Sequence, residues 1–267
     1  MQVALPKPFE TGSGPIMPTR RLLRAYAVEA KYESLRILRT PAMAIPFLLL
    51  PVPIYLFFGI VLPAGEIEKN PALADYLFSG WCVFAVMGPA MFGAGCAMAA
   101  ERDAGLVRLR RAMPTPAGSW LVAKMLMAMV FSAVAVGSVV AAAVIAGRIG
   151  LSAGQLVVIT VVMVVGAIPF CAVGLFVGVR ASATSAPAFI NLIFLPMLWL
   201  SGLFFPLPGS LERLVVIWPA FHLNQVALGL SGVSEFSFVP PQFSAAVLLG
   251  VTVVFGGLAM RRLARKG

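Results

Sequence analysis

Residues 120–146 read WLVAKMLMAMVFSAVAVGSVVAAAVIA, 27 residues in which Lys124 is the only charge. About 20 consecutive apolar residues are enough for a helix to cross the hydrocarbon core of a bilayer, so this segment is predicted to span a membrane. Similar apolar runs lie on either side of it, at 76–99 before and at 156–179, 187–205 and 242–260 after. A further run, 41–62, carries Pro46, Pro51 and Pro53. It reads as a kinked span, because membrane helices tolerate proline where neighbours re-satisfy the freed backbone groups. Composition agrees. The chain has 267 residues, 60% hydrophobic and 11% charged, against roughly 25% charge in an average soluble domain. With a mean hydropathy of +0.97, one aqueous core cannot hide the apolar residues, and a soluble globular protein is excluded. The expected fold is an all-α integral membrane protein of six transmembrane helices, divided into a tail (1–18), an interfacial helix (19–40) and a six-span domain (41–267).

The cations give the orientation. Six spans place both termini on one side, and seventeen Lys and Arg fall on that side, leaving Lys69, Arg148 and Arg213 on the other. Short cytoplasmic loops are enriched in Lys and Arg, so both termini are expected in the cytoplasm and the chain in a bacterial inner membrane. Trp120 then suits the inner interface, and Trp81, Trp199 and Trp218 the outer one. The net charge of +10 serves headgroup attraction and topology, since no interleaved basic and aromatic surface is present to read bases. Nucleic acid is not an expected partner; membrane lipid is. Cys82, Cys96 and Cys171 lie in apolar stretches without metal-ligand or redox spacing and read as small buried hydrophobes. Residues 1–40 contain Pro6, Pro8, Pro15 and Pro18 but no apolar core, so no cleavable leader is expected.

Two segments are amphipathic or broken rather than spanning. Within 19–39, Leu22, Tyr26, Ala30 and Ser34 recur at four-residue steps beside Leu23, Ala27, Ile37 and Leu38, with Arg20, Arg21, Arg24, Lys31 and Arg36 largely elsewhere. That pattern predicts a helix in the cytoplasmic interface, its apolar stripe in lipid and its cations on phosphates. Residues 206–241 are too long for a turn and too interrupted, by Pro206, Pro208, Pro219, Gly229 and Gly232, for a span. Short re-entrant helices in the outer leaflet are expected there.

Catalytic motifs are sparse. Gly229-Leu230-Ser231-Gly232 resembles the serine motif of rhomboid-type intramembrane proteases, but a serine needs a histidine within hydrogen-bond reach. The one histidine, His222, lies seven positions upstream of Gly229 in the same broken segment. No carboxylate pair falls inside a span, which weakens proton-coupled transport and acidic-ring channels. Metal-ligand clusters and a G-x-x-x-x-G-K-[ST] phosphate loop are absent from the sequence. No resident cofactor is expected, and this chain should not bind ATP by itself.

The loop between the second and third spans is the most informative. Residues 101–111 hold six charges, Glu101, Arg102, Asp103, Arg108, Arg110 and Arg111, and Pro114 and Pro116 close the loop. Leu106, Leu109 and Met113 recur at helical spacing, predicting a short amphipathic helix ended by Pro114. Apolar knobs flanked by arginines fit insertion into a partner's groove with acidic rims.

Here the sequence resembles the permease subunits of type 2 ABC exporters, drug-exporter-like branch. Their loop pattern is matched by Glu101, Arg102, Asp103, Gly105, Pro114 and, ten residues on, Lys124. A second match runs through Phe194-Leu195-Pro196-Met197, Ser201-Gly202-Leu203-Phe204-Phe205-Pro206 and Trp218-Pro219-Ala220. The resemblance implies two permease copies with two cytoplasmic ATPase subunits, which bind ATP and Mg2+. It also implies a coupling helix drawing on Glu101, Arg102, Asp103, Gly105, Leu106, Arg108, Leu109, Arg110, Arg111 and Met113. The expected cargo is an amphiphile, such as a drug, a lipid-like molecule or a secondary metabolite, with polysaccharide or glycolipid as the runner-up. Two readings outside transport stay open in the sequence, an intramembrane hydrolase using Ser231 and His222 and a membrane scaffold.

Overall fold

The computed structural model describes residues 19–112, 119–204, 212–233 and 235–266, and among these no strand occurs. After α1 (Thr19–Leu38), the first apolar run forms α2 (Pro41–Leu49) and α3 (Pro51–Ile54), which pass directly into a π-helical stretch, Tyr55–Val61. The prolines are absorbed without ending the helix. The Leu50 amide still donates to the Pro46 carbonyl at 3.1 Å and the Ile54 amide to that of Leu50 at 3.3 Å, and the wider π turns take up the mismatch.

A short α4 (Ala64–Lys69) leads to α5 (Ala72–Gly88), a π turn at Pro89–Gly93 and α6 (Ala94–Asp103), together a 32-residue helix enclosed by its neighbours along most of its length. Then follow α7 (Leu106–Ala112) and α8 (Ser119–Ala146). The next span is α9 (Ala153–Val165) with α10 (Ala167–Gly178), interrupted at Gly166. Ser152 and Gln155 form a reciprocal capping box at the start of α9, satisfying amides that the helix leaves without partners. The chain ends with α11 (Ala186–Leu200), α12 (Glu212–Val215), α13 (Pro219–Ser231) and α14 (Pro241–Lys266). Among the described residues, four helices are long and apolar enough to cross a membrane: Ala72–Asp103, Trp120–Ala146, Ala153–Gly178 and Pro241–Arg265. Two shorter apolar helices, Ile45–Val61 and Ala186–Leu200, lie among them.

In lipid the hydrophobic effect does not drive helices together, so close backbone approach has to. The α6–α10 contact shows it. A Cβ on Gly95 would stand 2.6 Å from the Gly174 carbonyl, and one on Gly174 or Gly178 would collide with the carbonyls of Met91 or Gly95. Gly174 and Gly178 are a G-x-x-x-G pair that the sequence displays openly.

Polar contacts tie the loops at one end of the bundle. Asp75 accepts from the Gly150 amide at 2.9 Å, the Asn70 amide group donates to Glu235 at 2.8 Å, and Gln155 donates to the Ser231 carbonyl at 2.8 Å. The described residues of segment 206–241 belong to this end. They include α12 and α13, and α13 is 13 residues long, too short to span and held to α5 by a 2.6 Å hydrogen bond between Ser79 and Asn224.

The opposite end carries α1, α7 and most of the cations, and α1 corrects one expectation. The stripe predicted to face lipid, including Tyr26, Ala30 and Ile37, instead packs toward α8 together with Glu29 and Glu33, while Leu23, Val28, Tyr32 and Leu38 are exposed. The predicted stripe is thus split, with Tyr26, Ala30, Ser34 and Ile37 on the packed side and Leu23, Ala27 and Leu38 exposed. The partner of the packed side is protein because that side also carries two carboxylates, which lipid cannot satisfy.

Candidate functional site at the basic end of the bundle

Three elements that are remote in sequence meet here. Lys124, fully buried on the first turns of α8, places Nζ 2.5 Å from Glu33 of α1 and 2.9 Å from Glu101 of α6. Arg36 closes the square, 2.8 Å from Glu33 and 3.0 Å from Glu101. The indole N–H of Trp120 donates to the second oxygen of Glu101 at 2.8 Å. Two carboxylates and two cations thus balance, and the additional hydrogen bond satisfies a remaining lone pair, the condition under which a buried ion cluster is tolerated. Burial pulls the Glu33 carboxyl upward, but Lys124 and Arg36 outweigh it and hold its pKa below the ordinary carboxylate range.

Arg102 and Asp103 act on a different neighbour. The Arg102 guanidinium donates to the Ala181 carbonyl at 2.6 Å and to that of Gly178 at 3.4 Å, and Asp103 accepts from the Ala183 amide at 2.7 Å. They bind the end of α6 to the turn between α10 and α11. Glu101, Arg102 and Asp103, which the resemblance grouped with the short helix, are therefore the last turn of a span and lock it to its surroundings. Glu101 in particular is buried.

The short helix itself begins after Gly105. That residue has φ +73°, a left-handed conformation that glycine adopts without a Cβ penalty, and its carbonyl accepts from the Arg108 amide at 3.1 Å. On α7, Leu106 and Leu109 are exposed, Leu109 to 60%, and Arg108 is exposed beside them. Val107 is buried, and Arg110 is ion-paired to Glu29 of α1. The helix thus has one fixed face and one free apolar face. Arg111 lies on α7 with its side chain outside what the structure describes, and Met113 and Pro114 fall outside the described residues.

Sequence reasoning missed Glu29, Glu33, Arg36 and Val107. A signal existed for the acids, since Glu29 and Glu33 share one helical face with Tyr26, Ala30 and Ile37. It could not name Lys124, 91 positions further on. The hydrolase reading finds no geometry. Ser231 donates to the Leu228 carbonyl at 3.1 Å, whereas the ring nitrogens of His222 meet the Ser244 hydroxyl at 3.1 Å and the Val216 carbonyl at 2.8 Å.

Residues 25–238 match the model of a family described as ABC-2 type transporter, a range that takes in the whole ion cluster, α7 and α13. The chain is also 25% identical over 198 residues to YvfS of Bacillus subtilis (strain 168), a protein named as a transport permease. That alignment covers 73% of this chain and 80% of YvfS.

Proposed function

The chain belongs to the ABC-2 type transporter family, and from that premise we propose that two copies of it, with two cytoplasmic ATPase subunits, export amphiphilic molecules. It is a transmembrane permease and a multi-pass membrane protein; permeases of this family lack ATPase activity and work with an ATPase subunit. The observation that carries the finer reading is α7, whose exposed Leu106 and Leu109 face away from the bundle while Val107 and Arg110 fasten it down. In this reading α7 is the coupling helix. ATP and Mg2+ bind the partner, the ATPase pair closes, and α7 moves with it.

Motion applied to α7 is passed to α1 through the Arg110–Glu29 ion pair. The ion square and the Arg102 and Asp103 contacts join α1, α6, α8 and the α10–α11 turn, so the load reaches several spans together. The six crossings comprise the four long helices and the two shorter apolar ones, with the basic end and both termini in the cytoplasm. An apolar cavity of about 410 Å3 among α9, α10, α13 and α14, lined by residues such as Val161, Val165, Leu223, Val226 and Leu249, supports an amphiphilic cargo.

The test is purification of the chain from its native host. A soluble protein with a phosphate loop should come down in near-equal amount, and its ATPase activity in reconstituted vesicles should rise with amphiphilic substrates. A chain that isolates without such a protein, or an ATPase indifferent to every amphiphile offered, overturns the exporter reading.

A further inference from the structure

At the basic end of the bundle two sets of described arginines differ in what surrounds them. Arg36, Arg102 and Arg110 each meet a carboxylate. Arg180, Arg261, Arg262 and Arg265 line a cavity of about 310 Å3 with Leu258, and among the described residues none of the four has a carboxylate partner. Four like charges around one space repel one another, and an anion offsets that cost.

The pocket is partly preorganised. Arg180 follows the end of α10, where its guanidinium lies 3.7 Å over the Phe176 ring and donates to the Phe176 carbonyl at 3.0 Å. Phe176 in turn meets Phe255 of α14 edge-on, ring centroids 5.0 Å apart, so the two helices hold a common platform. Partial burial and the neighbouring Arg262 lower the Arg180 pKa from its usual value, as expected of a cation held near another without a counter-ion.

The apolar helices that carry these arginines point to the anion. The arginines sit just after the end of α10 and on the last turns of α14, and α14 exposes Leu249, Val253, Val254 and Met260 ahead of them along the same helix. We propose that this pocket binds the phosphate of an anionic phospholipid, with the guanidiniums on the headgroup and the acyl chains along the exposed apolar face of α14. Guanidinium groups suit phosphate oxygens because they offer paired N–H donors in a planar fork, and basic pockets between membrane helices favour such headgroups. The inference needs only that the ends of α10 and α14 lie at headgroup level. It does not depend on ATPase coupling or cargo.

The experiment uses the full chain purified in uncharged detergent and exposed to mixed micelles of phosphatidylglycerol or phosphatidylcholine. Retained lipid is read by native mass spectrometry and the thermal midpoint is read in parallel. Phosphatidylglycerol should be retained and should raise the midpoint, and phosphatidylcholine should do neither. Arg180→Gln with Arg262→Gln should weaken retention by about fivefold per arginine removed, whereas the paired Lys variants should keep most of the affinity. Arg261→Gln with Arg265→Gln, whose side chains are exposed, provides a second pair should the first fail to fold. Equal retention of both lipids, or retention unchanged in both Gln pairs, overturns the proposal. So does full competition by inorganic phosphate at equal concentration, which would make the ligand a soluble phosphate.

Discussion

Lys124 has no solvent exposure and two carboxylate partners, so its removal leaves Glu33 and Glu101 buried with Arg36 alone to balance them. Breaking a buried pair in this way costs about 3–5 kcal/mol. Lys124→Met should lower stability by that order in denaturant unfolding. Adding Glu33→Gln should recover part of the loss, and strict additivity of the two changes would show that the residues do not interact. Glu33 also sets a pH dependence. Its folded pKa lies below its ordinary value, so its contribution is complete above about pH 4.3 and is lost as pH falls through the depressed folded value. In acid titrations of the purified protein, the wild type should loosen α1 across that window. Glu33→Gln should show no such step, and a step of equal size in the variant would place the titration elsewhere. The sequence displayed Glu101 and Lys124 as parts of one recognisable pattern. Their meeting was not legible, because a pattern of residue types carries no information about which side chains close on each other in space.

At the scale of elements, α7 was legible and α1 only half so. Helical spacing placed Leu106 and Leu109 on one face, and that face is exposed. For α1 the same spacing found part of the packed face, Tyr26, Ala30 and Ile37, but merged it with the exposed Leu23, Ala27 and Leu38 and assigned all of it to lipid, since lipid and a neighbouring helix ask for the same apolar period and only Glu29 and Glu33 distinguish them. Leu109→Asp should therefore leave folding unchanged, its site being solvent-exposed, and abolish association with the ATPase through burial of an unpaired charge in the partner's groove. The readout is subunit ratio together with substrate-stimulated hydrolysis. Normal coupling in that variant would remove the mechanical role from α7. Gly174→Leu attacks the other contact of note. The Met91 carbonyl occupies the space its side chain needs, so α6 and α10 must separate, and the purified variant should lose its thermal transition while still inserting in the membrane. A wild-type midpoint would mean that the close approach is dispensable.

At the scale of the molecule, the two ends differ in charge as the sequence indicated. Lys69 and Arg148 are at the end with α4 and α13, while the arginines of α7 and α14, with Arg180 just after α10, gather at the other. Cysteines introduced at Glu68 and Arg148 should react with an impermeant reagent added outside intact cells, and those at Asp103 and Arg265 should not. The native thiols, all buried, should stay silent. Labelling of Asp103 from outside would invert the molecule.

The ion square has a consequence for how the molecule is made. Its members come from α1, α6 and α8, and α8 leaves the ribosome last. Until Lys124 is delivered, Glu33 and Glu101 confront each other with Arg36 as their one cation, and the interior they are to occupy does not yet hold together. Release of α8 therefore completes the charge balance, and a chain truncated before Ser119 leaves Glu33 and Glu101 one cation short.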